Sequence, residues 1–245
     1  MNQRQKKIVD LIESAGEITI KELAQRLDVS EMTVHRDLDL LQAEHYIYKK
    51  RGAAVFIESA DRDKSDFYAE EKRTIGRKAA ELVPDGASII FDNSTTALEC
   101  ARFLNPDWKY TFYTTNLETA EILASYTGSV LYCSGGYYFP DSKGFVGAQA
   151  EAFIASVNAD ICFIGASGIT PDGTTTPYPM HTSLQKAIIA SAKTKILVCD
   201  HSKFDKRAME KICELSDIDI IVTDKGITNE AYERYSELVK IVISG

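Results

Sequence analysis

Five short runs of small polar residues carry the clearest chemical potential in this chain of 245 residues. They are Asp92-Asn93-Ser94-Thr95-Thr96, Thr114-Thr115-Asn116, Ser134-Gly135-Gly136, Gly165-Ala166-Ser167-Gly168 and Asp200-His201-Ser202-Lys203. Hydroxyls, amides and glycine N–H groups suit an anion, and the free amides of a helix start strengthen such a site. The run at 92–96 stands before a helical pattern, so Ser94 or Thr95 fits an ordinary helix cap equally well. Lys203 could meet a phosphate as a point charge. It also fits a lysine paired with an acidic neighbour or simply solvated. One such run means little. Five, each following an apolar strand pattern, predict a shared pocket for a polar, phosphorylated ligand.

A second chemistry stands at Val29-Ser30-Glu31-Met32-Thr33-Val34-His35-Arg36-Asp37-Leu38-Asp39-Leu40-Leu41. Ser30 is a good N-cap. Val34, Leu38 and Leu41 recur at i, i+4 and i+7 and form one apolar stripe. Met32, Thr33, His35 and Arg36 fall largely off it. Side chains at the start of a recognition helix reach base edges, and arginine is the commonest specific reader of guanine. Alone, the stretch also fits an ordinary amphipathic helix. Its neighbours decide for DNA.

Those neighbours are two helices and a hairpin. The first helix, Arg4 to Ser14, has Ile8, Leu11 and Ile12 as its stripe, and Gly16 stops it. The second opens on Thr19 and Glu22, a capping box, with Leu23, Ala24 and Leu27 facing inward. Two short helices and a short turn make a helix-turn-helix. Then 46–50 and 53–57 flank Arg51-Gly52 as a β-hairpin. As a wing it would bring Lys49, Lys50 and Arg51 to phosphates or a minor groove; a solvated loop is the plainer reading of that triplet. The candidate DNA-binding residues are therefore Thr19, Ser30, Met32, Thr33, His35, Arg36, Lys49, Lys50 and Arg51, and the partner is a double-stranded DNA operator.

The elements that must position the polar runs follow. Residues 58–74 are polar and read as a linker, with a helix from about Glu70 to Leu82. Strand patterns then fall at 87–91, 110–115, 129–133, 160–165, 195–199, 218–223 and 238–243. Helical patterns fall at 96–104, 117–125, 147–157, 181–192 and 228–235. Several strands are continuous apolar runs, such as Ile161-Cys162-Phe163-Ile164, which suits a parallel sheet covered on both faces. The expected fold is α/β: a Rossmann-like, mainly parallel sheet domain at 75–245, preceded by a small winged helix-turn-helix domain at 1–57. Ligands of such sheets sit at the carboxyl ends of strands, where the five polar runs fall. The Thr174-Thr175-Thr176-Pro177-Tyr178-Pro179 stretch reads as a loop that could cover the pocket.

Charge and cysteines bound the function. The formal net charge is −8. Residues 1–57 hold equal numbers of basic and acidic side chains, so the whole excess lies in the body. A neutral head with a basic cluster at Lys49-Lys50-Arg51 remains compatible with DNA. No signal peptide or membrane span is visible, and the five cysteines, with no CxxC spacing, fit buried thiols in a reducing compartment. The expected location is the cytoplasm. There is no dinucleotide fingerprint or P-loop, no nucleophile elbow and no metal-ligand spacing among the four histidines. No cofactor, metal or catalytic residue is expected.

The motif Val-Ser-x-x-Thr-Val-x-Arg-Asp-Leu-x-x-Leu at 29–41 resembles the winged helix of DeoR-type bacterial transcription regulators. His35 stands where the family typically has the first of two arginines. Glu44-His45 and Gly52-Ala53-Ala54 also depart from its usual glycines. The body resembles the family's sensor domain through Asp92 with Ser94-Thr95-Thr96, Thr115-Asn116, Gly135-Gly136, Gly165-Ala166-Ser167-Gly168, Lys186 and Asp200-x-x-Lys203-Phe204. Asn93 and His181 depart from the usual pattern. The resemblance implies a domain similar to sugar-phosphate isomerases that binds a phosphorylated sugar as effector. It adds Lys186 to a candidate effector set of Asp92, Asn93, Ser94, Thr95, Thr96, Thr115, Asn116, Gly135, Gly136, Gly165, Ser167, Gly168, Asp200 and Lys203.

Two function classes follow: a sugar-phosphate-responsive regulator, a repressor of a carbohydrate-utilisation operon, or a sugar-phosphate isomerase with a fused helical head. An isomerase needs a carboxylate base over the substrate carbon. Ribose-5-phosphate isomerases have Asp-Gly-Ala-Asp after the corresponding strand; here Gly165-Ala166-Ser167-Gly168 has no carboxylate. The regulator is favoured. A homodimer or homotetramer is expected, because one recognition helix reads too few bases to find a site in a genome.

Overall fold

The computed structural model describes residues 2–43, 47–50, 52–56 and 68–245. The chain divides into two units, Met1–Asp63 and Lys64–Gly245. Arg51, Glu44-His45, the ends of the predicted hairpin at Tyr46 and Ile57, and residues 58–67 of the predicted linker lie outside the described residues.

In the first unit the elements are α1 (Gln3–Ala15), β1 (Glu17–Thr19), α2 (Ile20–Leu27), α3 (Glu31–Ala43), β2 (Ile47–Lys50) and β3 (Ala53–Phe56). Asn2 caps α1 in a reciprocal box with Gln5, and Thr19 and Glu22 do the same for α2. Asp28 closes α2 in the left-handed conformation at φ 52°, which an aspartate tolerates. Ser30 Oγ accepts from the Thr33 N–H at 3.2 Å and caps α3. The stripe residues Val34, Leu38 and Leu41 are fully buried with Ile8, Ile12, Leu23 and Ile47. The hairpin forms with Lys50 opposite Ala53, but β3 also pairs with β1, giving a three-stranded antiparallel sheet in the order β1-β3-β2. The sequence reading missed β1, because three residues are too few to show a period.

The second unit runs α4 (Ala69–Ala80), β4 (Ser88–Phe91), α5 (Thr95–Arg102), β5 (Thr111–Thr114), α6 (Leu117–Leu123), β6 (Val130–Cys133), β7 (Tyr137–Phe139), β8 (Gly144–Val146), α7 (Ala148–Ala155) and β9 (Ala159–Ile164). It continues with β10 (Gly168–Thr170), β11 (Gly173–Thr176), α8 (Pro179–Ala190), β12 (Ala192–Val198), β13 (Glu210–Cys213), β14 (Ile220–Thr223), α9 (Asn229–Ser236) and β15 (Lys240–Ile243). The seven predicted strand patterns all form strands of one sheet, ordered β15-β14-β12-β9-β4-β5-β6. Every pairing in it is parallel. Its strands read as continuous apolar runs because each face packs on a core. One core gathers Ile90, Cys162, Ile188, Leu197 and Tyr235; the other gathers Ile75, Ile89, Phe91, Phe163 and Val222.

Two corrections concern the edges of this picture. Residues 69–74, assigned to the linker, are the first half of α4. Thr174-Thr175-Thr176, read as a loop, is β11, at most 4% exposed and paired with β10 and β13. Threonine is β-branched and suits a strand. Here the Thr175 hydroxyl donates to Gly168 O at 3.2 Å and accepts from Ala208 N at 2.9 Å, so the run is polar and buried at once.

Candidate effector site and nucleic-acid interface

The order of the main sheet fixes where a ligand can enter. From β4 the chain winds outward to β5 and β6, then returns to β9 on the other side of β4 and winds outward through β12 and β14 to β15. The crevice between the carboxyl ends of β4 and β9 is the switch point, the place where open α/β sheets bind ligands.

Asp92 and Gly165 end these two strands. Asp92 is 2% exposed. Its Oδ1 accepts from Ser94 N at 2.8 Å, and its Oδ2 accepts from Gly165 N at 2.8 Å and from Gln185 Nε2 at 3.3 Å. Burial pushes its pKa above the ordinary 3.8, against the hydrogen bonds from Ser94, Gly165 and Gln185. The carboxylate therefore acts as a clasp between strand ends. Gly165 is required there by contact, since a Cβ on it would lie 2.4 Å from the Cβ of Ser94.

The neighbouring residues close round this clasp. Ser94 Oγ caps α5 by accepting from Ala97 N at 3.2 Å. Thr95 is half-buried and Thr96 buried in the first turn. Thr115 Oγ donates to Asn93 Oδ1 at 2.5 Å. Asn116 caps α6 through Thr119 N at 2.9 Å and donates to Ser142 O at 2.9 Å. The β7–β8 hairpin is thereby stitched to the end of β5, with Phe145 N donating to Thr115 O at 2.6 Å. Gly144 packs so tightly on Asn93 that a Cβ would meet its side chain at 2.5 Å. His181, in the first turn of α8, makes ring contacts with Phe139 at 5.7 Å and Tyr178 at 5.5 Å. Two buried polar atoms here, Asn93 Nδ2 and Gln185 Oε1, have no hydrogen-bond partner among the described residues. Buried polar groups are ordinarily satisfied, so both stand out beside the clasp.

The remaining predicted residues spread along the same edge, with one exception. Gly135 and Gly136 follow β6, both at positive φ. Ser167 and Gly168 follow β9. Asp200 follows β12 and is 1% exposed; its Oδ1 accepts from Ser202 N at 3.0 Å and from the Ser202 hydroxyl at 2.5 Å. Lys203 is half-buried at the end of that turn. Lys186 is the exception. It is exposed on α8 and borders a separate depression with Ile189, Ala190, Lys195, Cys213 and Asp219.

On the first unit, α3 presents an exposed polar face that is the candidate for reading DNA. Met32 is 80% exposed, and Ser30, His35 and Arg36 are exposed with Thr33 half-buried. Thr19 is exposed and committed to capping: its Oγ accepts from Glu22 N at 3.2 Å. Lys49 forms an ion pair with Asp39 on α3, and its backbone N donates to Gln42 Oε1 at 2.9 Å. The backbone of Lys50 lies in β2.

The profile of the DeoR C terminal sensor domain matches residues 68–225, and that of the DeoR-like helix-turn-helix domain matches residues 4–60. The chain belongs to the DeoR family. Its relatives include the glycerol-3-phosphate regulon repressor of Haemophilus influenzae, 33% identical over 96% of this chain and 95% of that one. The glycerol-3-phosphate regulon repressor of Escherichia coli is 30% identical over 91% of this chain and 90% of that one. The HTH-type transcriptional repressor GlcR of Bacillus subtilis is 30% identical over 92% and 88%. Among solved structures, ribose 5-phosphate isomerase A of Methanocaldococcus jannaschii is 19% identical, covers 56% of this chain and 55% of its own, and has a TM-score of 0.42. The Pyrococcus horikoshii translation initiation factor eIF-2B is 18% identical over 82% and 69%, with a TM-score of 0.43. Likeness at that level says nothing of chemistry.

In this DeoR-family protein three features escaped the sequence reading. Asp37, within the family motif, is 2% exposed; it accepts from Arg4 Nε at 2.6 Å and Gln5 Nε2 at 3.3 Å, tying α1 to α3. Gln185 sits mid-helix with nothing in its surroundings to mark it. His201 and Asp224 meet at 2.8 Å. That pair had a signal: Asp224 directly follows strand 218–223, as Asp200 follows 195–199. Among the described residues, no helix is long and apolar enough to cross a membrane.

Proposed function

We propose that this DeoR-family regulator is a cytoplasmic repressor that binds a double-stranded operator through the first turn of α3. A phosphorylated sugar or polyol bound at the β4–β9 switch point sets its affinity for that operator. The observation that carries the DNA half is the exposed Met32, His35 and Arg36 face on a helix whose opposite stripe is buried. The wing supplies phosphate contacts through Lys49, Lys50 and Arg51.

The sensor half rests on the clasp and the two unfilled polar atoms beside it. A ligand hydroxyl both donates and accepts, so one polyol can serve Asn93 Nδ2 and Gln185 Oε1. The phosphate sits on the amides and hydroxyls at the start of α5, with Lys203 as counter-charge and Asp200 orienting hydroxyls. The chain is not an enzyme on this reading. Asp92 spends both oxygens on fixed N–H donors, and a general base must reach the proton that it removes. Two copies, as a dimer or a tetramer, bind paired half-sites.

The test is a gel-shift titration with DNA from the chain's own upstream region, repeated with glycerol 3-phosphate and with hexose and pentose phosphates. One of these should change operator affinity, and Asn93→Ala should raise the concentration needed. Operator affinity that no sugar phosphate alters refutes the sensor half. Turnover of ribose 5-phosphate refutes the regulator reading in favour of an isomerase.

A further inference from the structure

The last strand of the main sheet is open. β6 pairs with β5 on one side and with no strand on the other among the described residues. Natural sheet edges are ordinarily guarded by lysine, proline, a bulge or a covering element. Among the described residues β6 has no such guard. Val130 is 51% and Tyr132 48% exposed, Leu131 is half-buried, and Cys133 is exposed. The hairpin that follows adds Tyr137, 63% exposed, and Tyr138, 40% exposed.

Charge says what fits this edge. No charged side chain occurs from Ile122 to Pro140, in a chain that is 26% charged and carries a formal −8. A partner of opposite charge would leave a charged counterpart within this stretch, and the stretch has none; Lys109 lies against Gly128, before the strand begins. A second copy needs this neutrality. Across a two-fold axis the same patch meets itself, so any charge on it would face its own like. A two-fold axis normal to the sheet also sets β6 antiparallel to its mate, and an antiparallel pair satisfies the open N–H and C=O groups of both strands. Val130 and Tyr132 lie on one face of the strand, where Tyr132 stacks on Tyr113 at 5.3 Å. Pairing would extend that aromatic row across the junction.

We infer that β6 is the self-association edge of the second unit: two copies join β6 to β6 in antiparallel register and form one continuous sheet. The need for two copies rests on the operator-binding reading above; the edge itself rests on its geometry and neutrality.

The test uses the full chain without DNA, so that its failure is separate from failure of the operator assay. Sedimentation equilibrium of the wild type at micromolar concentration should give a dimer or a higher even assembly. Tyr132→Lys sets two ammonium groups face to face and should weaken association about 100-fold or more. Val130→Lys, checked by circular dichroism, is the second variant should the first fail to fold. With Tyr132 of one copy opposite Tyr132 of the other, as a two-fold axis normal to the sheet allows, the two Cys133 residues lie about 7 Å apart along the strand, two residue rises of about 3.4 Å. A short bis-maleimide should therefore give a covalent dimer with the wild type and with Cys213→Ser, and none with Cys133→Ser. A monomeric wild type overturns the inference. So does an association constant unchanged in folded Tyr132→Lys or Val130→Lys, or a cross-link that survives Cys133→Ser.

Discussion

The two units present polar groups in opposite ways. On the first, the candidate reading residues project from a helix: Met32 is 80% exposed, and His35 and Arg36 are exposed beside it. On the second, the candidate site is a buried lattice. Asp92, Asn116 and Asp200 are all under 5% exposed, and each spends side-chain oxygens on neighbouring backbone amides. An interface for a duplex needs long side chains aimed outward. A small-molecule site needs fixed groups, and fixing them takes partners. The same substitution type should therefore separate stability from function in one unit and merge them in the other.

The largest expected effect merges them. Asp92→Ala strands two donors, the amides of Ser94 and Gly165, while the side-chain amide of Gln185 keeps Gly165 O. Each unsatisfied buried donor costs about 1–3 kcal/mol, so the second unit should lose about 2 kcal/mol or more. Calorimetry of the full chain should show a lower melting temperature together with lost response to sugar phosphates. An unchanged melting curve would mean that the clasp does not hold the strand ends.

Lys203→Ala comes next and sharpens the contrast inside the second unit. Lys203 is half-buried at the rim of the strand ends. Removing one charge-assisted contact costs about 1.5–3 kcal/mol, so effector affinity should fall about 10- to 150-fold. Operator binding without effector should stay as in the wild type. A response at the wild-type effector concentration would remove Lys203 from the site.

Arg36→Ala is the counterpart on the first unit. Arg36 is exposed, so its loss leaves nothing stranded. Specific operator affinity should fall by about 1–3 kcal/mol, while the melting temperature and effector affinity stay unchanged. Affinity for random DNA falls less, because base contacts carry the sequence preference. Equal losses on both DNAs would make Arg36 a phosphate contact.

This contrast also explains what could be read in advance. Strands β4, β9, β12 and β14 of the main sheet were legible because both faces of each are largely buried, which makes them apolar runs. The outward face of α3 was legible because burial of Val34, Leu38 and Leu41 fixes which side is exposed. The short antiparallel strands of the second unit were not. β7, β8, β10 and β11 have three or four residues rich in Gly, Thr or Tyr and show no period. That Asp92, Asn93, Thr115, Asn116 and Gly165 stand together was legible because polar residues collect at strand ends in this fold. Gln185 and Gly144 were not, since their roles arise from packing between segments far apart in sequence. Lys186 came from resemblance alone, and the structure places it at another depression.

Acid should act on the second unit through Asp224. Burial pushes this carboxyl up, but the His201 ring and the N–H groups of His201 and Gly226 outweigh it and hold it below the ordinary 3.8. A lowered folded pKa stabilises the fold above the unfolded value and loses that stabilisation as pH falls through the folded one. Asp92 runs the other way: its raised pKa favours the fold most at low pH and less as pH climbs through the raised value. Asp224→Asn should therefore flatten the loss of melting temperature below pH 4 without removing it elsewhere. A parallel curve would mean that Asp224 titrates alike in the folded and unfolded chain.

The smallest effect tests whether the wing belongs with the reading face. Lys49 is paired with Asp39 on α3, and Asp39 is 65% exposed. Exposed ion pairs are worth only about 0–1 kcal/mol, so Lys49 can exchange Asp39 for a phosphate at little cost. Each neutralised phosphate adds about 0.9 to the slope of log affinity against log salt. Lys49→Ala should therefore lower that slope by about 1 per protomer and weaken binding to operator and random DNA alike. Asp39→Asn frees Lys49 without removing it, so the slope should hold and the affinity rise slightly. Fluorescence anisotropy across a salt series, on both DNAs, measures all of this. A slope unaltered in Lys49→Ala would take β2 off the DNA backbone and leave α3 to bind alone; a loss confined to operator DNA would instead make Lys49 a reader of sequence, like Arg36.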